Sequence, residues 1–414
     1  MIRKKKLNMM QRMLAIIVIF VVGILTNLPL QADAMTTGQE QDYWLLDSIV
    51  GRYNLNYTGN TNAFSKAMAG IDQVYTDVPN WGNSSSATLT KTNGASSIRH
   101  AFLVWEVFDG ASNPTNSVYM KTPVGRYYEV APNYVVNDWR TAADNPPSWA
   151  YKTMYCMAAD VTSYVQDAGY GTYSVCNIPY KASSGGESSA SWQLVVVEEG
   201  ENFPVRVVSL SMGARFKMGT TPSSTNGGNF SSVIPLNNGL KSKSSGVATG
   251  QIIFGASNAD VERRMPMTSY MTTYNGGDAL RTVSANTTYQ AALYRNGAVM
   301  NDRDYLNGGC IRVDLSDISD IGNNANSLKL EVRQDSWTTF FMLGYSMDIA
   351  FPDFIANQTT TVNSSESVTV KGDIKNVSTQ ANTGIYDGEL VVNIDPGLTV
   401  KSATAIVDGN KSIT

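Results

Sequence analysis

Between Asp160 and Val208 the chain packs one helical turn, two strong strands and a Gly/Ser loop into a single module, and that module constrains the fold more than any other stretch. Asp160 is placed to cap a helix, Val161, Tyr164 and Val165 fall at helical spacing, and Gly169 can take the left-handed conformation that ends one. Gly171 to Ile178 then alternates and is rich in β-branched and aromatic residues. Trp192 to Val197 is instead an apolar run interrupted only by Gln193, which suits a strand covered on both faces.

The same strand signals recur along the chain. Ile98–Phe108, Ser117–Lys121, Tyr127–Val130, Met154–Met157 and Val205–Met212 are bounded by Gly, Pro, Asn or Ser in the manner of a sandwich. Residues 35–94 carry only weak strand signals, with Gly70, Gly82, Gly94 and Asn83-Ser84-Ser85-Ser86 marking loops. Residues 219–250 are polar, and read either as a linker or as a long surface loop with a strand around Ser231–Leu236. The loop is preferred, because Gln251–Ala256 and Gln290–Tyr294 continue the β pattern; further on, Ser327–Arg333 and Thr339–Ala350 again alternate or run apolar. Asp314–Ile321 suggests a second short helix, and Phe351-Pro352-Asp353-Phe354 a domain boundary. The expected fold is all-β: one large β-sandwich, or two packed sandwiches, with one or two short helices.

The N-terminus reads as a secretory signal over residues 1–34. Arg3, Lys4, Lys5, Lys6 and Arg12 form a basic region, Met13 to Leu25 an apolar one, and Ala32-Asp33-Ala34 a small-x-small cleavage site. Thirteen apolar residues are short against the ~20 of a spanning helix, so no membrane segment is expected after cleavage. Removal of residues 1–34 leaves 26 Lys+Arg against 34 Asp+Glu, a net charge of about −8 over about 380 residues. So acidic a chain is a poor partner for nucleic acid, which is bound by basic neutralisation of phosphates. Its length suits two or three domains.

Three cysteines do not make a disulfide scaffold. Cys156 and Cys176 flank the expected helix and are the disulfide candidate, provided their Cα atoms lie within ~7 Å; buried free thiols are the alternative. Cys310 is the odd one. No zinc motif is present, and no cofactor is expected. Asp302, Asp304 and Asn307, within Asn301–Gly308, have the oxygen density of a calcium loop but not EF-hand spacing.

Catalytic signatures are absent. The single histidine, His100, sits inside an alternating strand and reads as structural, and there is no nucleophile elbow, P-loop or Rossmann fingerprint. Glu106, Asp109, Asp138, Asp144, Glu198 and Glu199 are the acids a paired-carboxylate glycoside hydrolase would draw on, but any large β-protein offers such a set. Trp81, Trp139, Trp149 and Tyr134 could stack on sugar faces, or serve as core and strand ends. No enzyme is expected.

The segments D-V-T-S-Y-V, G-T-Y-S-V and S-W-Q-L-V-V-V, with Ala95–Val107, Val118–Val124, Asn307–Ile318 and Trp337–Phe354 in the same order, resemble the N-terminal β-rich region of secreted surface proteins of Gram-positive-type bacteria. In those proteins this region precedes domain-of-unknown-function-eleven or isopeptide-forming fimbrial repeats. Glu198 and Glu199 depart from the pattern, as does Ser209–Gly213. Residues 356–414, with the turn Asp395-Pro396-Gly397-Leu398, resemble the N-terminal part of an Ig-like repeat, cut short at Thr414. The resemblance implies a head module over 35–355, subdivided near 215–250 on one reading, in an extracellular, cell-surface, adhesin-like protein. Its partner would be a host, matrix or glycan ligand of unknown identity. Self-association as a fimbrial or coat subunit is the structural alternative, and a carbohydrate-active hydrolase the third.

Overall fold

The computed structural model describes residues 44–66, 71–108, 117–137, 154–181, 187–217, 230–235, 241–257, 267–288, 292–300, 311–334, 338–350, 354–364, 367–376, 399, 405–407 and 411–413. The expected signal segment lies outside them. The chain divides into two compact units, Pro29–Phe351 and one that contains Pro352–Thr414.

The larger unit begins with β1 (Trp44–Lys66), β2 (Ile71–Val74), β3 (Ser84–Leu89), β4 (Ser97–Phe108), β5 (Val118–Lys121), β6 (Tyr127–Val130), β7 (Tyr134–Asn137) and β8 (Met154–Asp160). Helix α1 (Thr162–Ala168), β9 (Gly171–Cys176) and β10 (Glu187–Glu199) complete this half. The other half holds β11 (Val205–Lys217), β12 (Phe230–Pro235), β13 (Gly250–Ser257), β14 (Met267–Asn275), β15 (Asp278–Thr288), β16 (Leu293–Arg295), β17 (Ala298–Val299), β18 (Ile311–Ile318), β19 (Ser327–Gln334) and β20 (Thr338–Asp348). The fold is all-β, as expected.

Strand order makes each half a sandwich of the same kind. In the first, one sheet runs β1-β10-β4-β8 and the other β3-β9-β5-β6. In the second, the orders are β11-β20-β13-β18 and β12-β19-β14-β15. With the eight principal strands of each half ranked along the chain, both halves read first-eighth-third-sixth over second-seventh-fourth-fifth. That is a jelly roll, built twice in tandem. β2 and β7 extend the first roll, and β16 and β17 the second.

One strand serves both rolls. Trp44–Arg52 of β1 pairs with β11, and Tyr53–Lys66 pairs with β10, so the first sheet of each roll joins into one continuous hydrogen-bonded path. These two sheets are buried on both faces. In β4, Phe102, Val104 and Phe108 enter a central core between the rolls, while Ala101, Leu103, Trp105 and Val107 enter the first roll's own core. In β13, Ile253 faces the central core and Ile252, Phe254 and Ala256 the second roll's core. The apolar run Trp192–Val197 follows the same rule, with Val195 and Val197 facing the central core and Trp192, Leu194 and Val196 the first roll's core. A large apolar side chain buried in this way contributes roughly 1.5–3 kcal/mol, which is why such strands carry few polar residues.

The weakly signalled 35–94 segment holds the longest strand. On β1 the residues between Tyr53, Leu55 and Tyr57 are Asn54, Asn56 and Thr58, followed by Asn60 and Asn62 at the same spacing. Asn56, Thr58 and Asn60 donate to the carbonyls of Thr90, Thr88 and Ser86 at 2.8, 3.1 and 2.8 Å. Asn62 reaches Val175 O at 2.9 Å. The Ser86, Thr88 and Thr90 carbonyls lie on the side of β3 turned away from β9, so a polar ladder covers an edge that would otherwise invite another strand.

Helix α1 forms where expected, but its N-cap is Val161 rather than Asp160, whose carboxylate accepts the Thr162 N–H at 2.9 Å. Gly169 ends it with φ of 71°. The second helix expected at Asp314–Ile321 is instead mostly strand β18. Ile311, Val313 and Leu315 point into the central core at a period of two, which a helix cannot supply. In the smaller unit, β21 (Phe354–Ser364) pairs with β22 (Ser367–Asn376) and β23 (Ala405–Val407) with β24 (Lys411–Ile413). The expected Asp395–Leu398 turn lies outside the described residues.

Candidate binding face

The face of sheet β3-β9-β5-β6 turned away from the core gathers three aromatic rings. In β5 and β6, Val118, Met120 and Val130 point into the core, so Tyr119, Lys121 and Tyr127 point out. Trp81 reaches the same face from the loop before β3. Its ring lies 4.7 Å from Tyr119 and 5.8 Å from Tyr127, centroid to centroid, nearly parallel to the latter at 24°. The Lys121 ammonium stands 5.6 Å over the Tyr127 ring, within range of a cation–π attraction.

Local hydrogen bonds fix the loop that carries Trp81. Ser84 Oγ accepts the Val78 N–H at 2.8 Å, and Asp77 accepts the Ser86 N–H at 2.8 Å. Asn177 Oδ1 accepts the Gly82 N–H at 3.1 Å, and Asn83 both donates to Ile178 O and accepts its N–H. Asn80 and Asn177 take positive φ of 70° and 56°, a conformation that asparagine tolerates better than most residues. Register then aligns Ser86, Ser174, Lys121 and Tyr127 in one row across the four strands. Ser86 and Ser174 join their hydroxyls at 2.8 Å, as Thr88 and Thr172 do at 3.0 Å.

The cysteine pairing does not form. Cys156 and Cys176 are both free and buried. Cys156 faces the central core, whereas Cys176 has the opposite parity to Tyr173 and Val175 and so points to the outer face of the other sheet. The two thiols point apart from sheets that stack ~10 Å from one another, beyond disulfide reach. Burial pushes the Cys176 thiol up to about 12.

The other expected residues are dispersed. Glu198 is buried and accepts from Asn56 at 3.0 Å, the Thr92 N–H at 3.1 Å and Asn54 at 3.3 Å. Glu199 is exposed beside Ser97. Glu106 pairs in register with Ser191, seven residues from Glu198, which at ~3.3 Å per residue is about 23 Å away. Catalytic carboxylates of glycosidases stand within ~10 Å, so these do not form such a pair. His100 Nδ1 contacts Asp47 at 2.7 Å. Tyr134 packs against the central core. Asp109, Asp138, Asp144, Trp139, Trp149, Cys310 and the Asp302/Asp304/Asn307 loop lie outside the described residues.

Two buried polar groups sit inside the layers. Glu106 Oε1 accepts from Gln193 at 3.0 Å, while Glu106 Oε2, Gln193 Oε1 and Ser189 Oγ have no partner. Burial pushes the Glu106 carboxyl up to about 8 and raises the Cys156 thiol opposite it well above its ordinary range. On β18, burial lowers the Arg312 guanidinium to about 10 and raises Asp314 to about 6. Arg312 lies 5.5 Å over the Tyr294 ring. These groups are enclosed between packed sheets, whereas the aromatic face is accessible.

No family model and no curated protein sequence matches the chain. Among solved structures it is matched to the STIV MCP, at 11% identity and a TM-score of 0.20, over 71% of this chain and 96% of that one. It is also matched to the major capsid protein P2 from bacteriophage PM2, at 10% identity and a TM-score of 0.17, over 72% and 98%. A third match is to a triple jelly roll protein of an archaeal virus, at 8% identity and a TM-score of 0.18, over 75% and 85%. TM-scores of this size lie below those of a shared fold, and the double jelly roll rests on strand order alone.

Of the four residues in this cluster, only Trp81 stands out in the sequence. The signal for Tyr119 and Lys121 is the alternation in Val118-Tyr119-Met120-Lys121, which sends every second residue outward. Nothing local marks Tyr127.

Proposed function

We propose that this chain is an extracellular structural subunit that assembles with copies of itself into a coat or fibre. The observation that carries the reading is the tandem jelly roll, whose two inner sheets are joined by β1 and buried on both faces. Such a block is stiff, and it leaves hydrogen-bonding edges only at its margins, at β2, β6, β7, β12, β15 and β17 among the described strands. Edge-to-edge pairing is the natural contact between copies. Export by the residue 1–34 signal and a Gram-positive-type cell surface belong to the same reading, as does the absence of catalysis. Light scattering of residues 35–414 over a wide concentration range tests it, with electron microscopy of the concentrated sample. Concentration-dependent assembly into regular particles or fibres is the expected result, and a monomer at every concentration overturns it.

A second reading is adhesin-like attachment to a host, matrix or glycan ligand. The exposed aromatic face favours it, since rigid Tyr and Trp side chains give large contact area at low entropic cost.

A further inference from the structure

The outer face of sheet β3-β9-β5-β6 differs from an ordinary solvated sheet in three ways. Its aromatic residues are clustered rather than scattered, and Tyr127 keeps 45% of its surface exposed. They adjoin the Lys121 ammonium, which stands in register with the buried Ser174 and, beyond it, Ser86. Neither element has to be ordered on binding, because Tyr119, Lys121 and Tyr127 stand on strands and the Trp81 loop is tied down through Val78, Gly82 and Asn83.

Each feature selects a class of ligand. A flat aromatic surface attracts the axial C–H face of a sugar ring, and a neighbouring ammonium donates hydrogen bonds to its rim. A peptide strand would pair along the free β6 edge rather than lie across this face, and a lipid surface would need a wider apolar patch than these rings provide. A nucleic acid would need more positive charge than one lysine. We propose that this face is a saccharide-binding platform, on which a pyranose ring stacks against Trp81 and Tyr127 while its hydroxyls bond to Lys121. The proposal rests on the attachment reading and names its ligand class.

The test uses the full chain without its signal segment on a glycan array and, in parallel, on an array of matrix proteins, followed by titration calorimetry with any saccharide retained. Tyr127→Ala removes an exposed ring and should weaken saccharide binding at least about fivefold, with the melting temperature unchanged. Tyr127→Phe keeps the stacking surface and should bind like the parent. Trp81→Ala should abolish binding; because Trp81 also packs on Tyr119, Tyr127→Ala decides the outcome if that variant fails to fold. Saccharide binding that survives both ring deletions overturns the site. Saturable binding to a matrix protein with no saccharide retained overturns the ligand class but leaves attachment standing. Retention on neither array overturns both.

Discussion

The side-chain amide of Gln251 takes the place of a strand beside Leu55. Its Oε1 accepts the Leu55 N–H at 2.8 Å, and its Nε2 donates to the Leu55 carbonyl at 3.2 Å. The position is where β1 has left β11 for β10, so the backbone edge turned away from β10 has lost its partner. The same amide also takes bonds from Ser346 Oγ at 3.0 Å and Arg206 at 3.4 Å, and donates to Asp317 at 2.8 Å. Arg206 in turn holds Asp348 at 2.8 Å, and Asp348 is further held by Lys243 and Thr249. A polar joint therefore seals the crossing between the two rolls.

Gln251→Leu should destabilise the larger unit by about 1–3 kcal/mol, because it leaves the Leu55 N–H buried and unpaired, while the Leu55 carbonyl keeps Asn54 at 3.1 Å and Arg295 at 3.3 Å. Urea unfolding should give a lower midpoint with an unchanged slope. An unaltered midpoint would mean that the joint contributes nothing.

The Glu106 carboxyl predicts how stability varies with pH. Its ordinary value is 4.5, and burial pushes it up to about 8 in the folded chain. The native state therefore holds a proton that the unfolded state releases between those two values. The contribution of Glu106 is full below about pH 4.5 and is lost as pH rises through about 8, by on the order of 3–5 kcal/mol. Glu106→Gln removes the titration. The parent minus variant difference in unfolding free energy, measured from pH 5 to 9, should fall with pH; a flat difference contradicts the assignment.

Gly59 marks a close approach of backbone to backbone on β1. A Cβ there would stand 2.3 Å from Trp192 O and 3.2 Å from Leu293 of the second roll. Gly59→Ala should cost about 1–3 kcal/mol by forcing β1 away from β10, read as a lowered melting temperature.

Neither Cys156 nor Cys176 should react with a thiol reagent in the folded chain, since both are buried. A Cys310→Ser variant should release two thiols on unfolding, and its melting temperature should be indifferent to reductant. Loss of stability on reduction would point to a bridge between them.

Sequence alone determined the strands that carry a strong apolar pattern. Trp192–Val197 had to be covered on both faces, because the four successive apolar residues Leu194–Val197 leave no side for water, and the structure buries the whole run, Gln193 included. The Gly169 helix stop was equally local, since few residues other than glycine take that conformation cheaply. The longest strand was nearly illegible. On β1 the alternation pits Leu55 and Tyr57 against Asn54, Asn56, Asn60 and Asn62, and asparagine reads as turn until its partner is known. Only the tertiary structure supplies that partner, the outward carbonyls of Ser86, Thr88 and Thr90. It likewise decided that Asp314–Ile318 is strand, that Glu106 and Glu198 stand far apart, and that Tyr119 and Tyr127 meet Trp81. Local pattern fixes which face of an element is apolar, whereas the meeting of side chains from separate strands depends on register and sheet order, which non-local pairing sets.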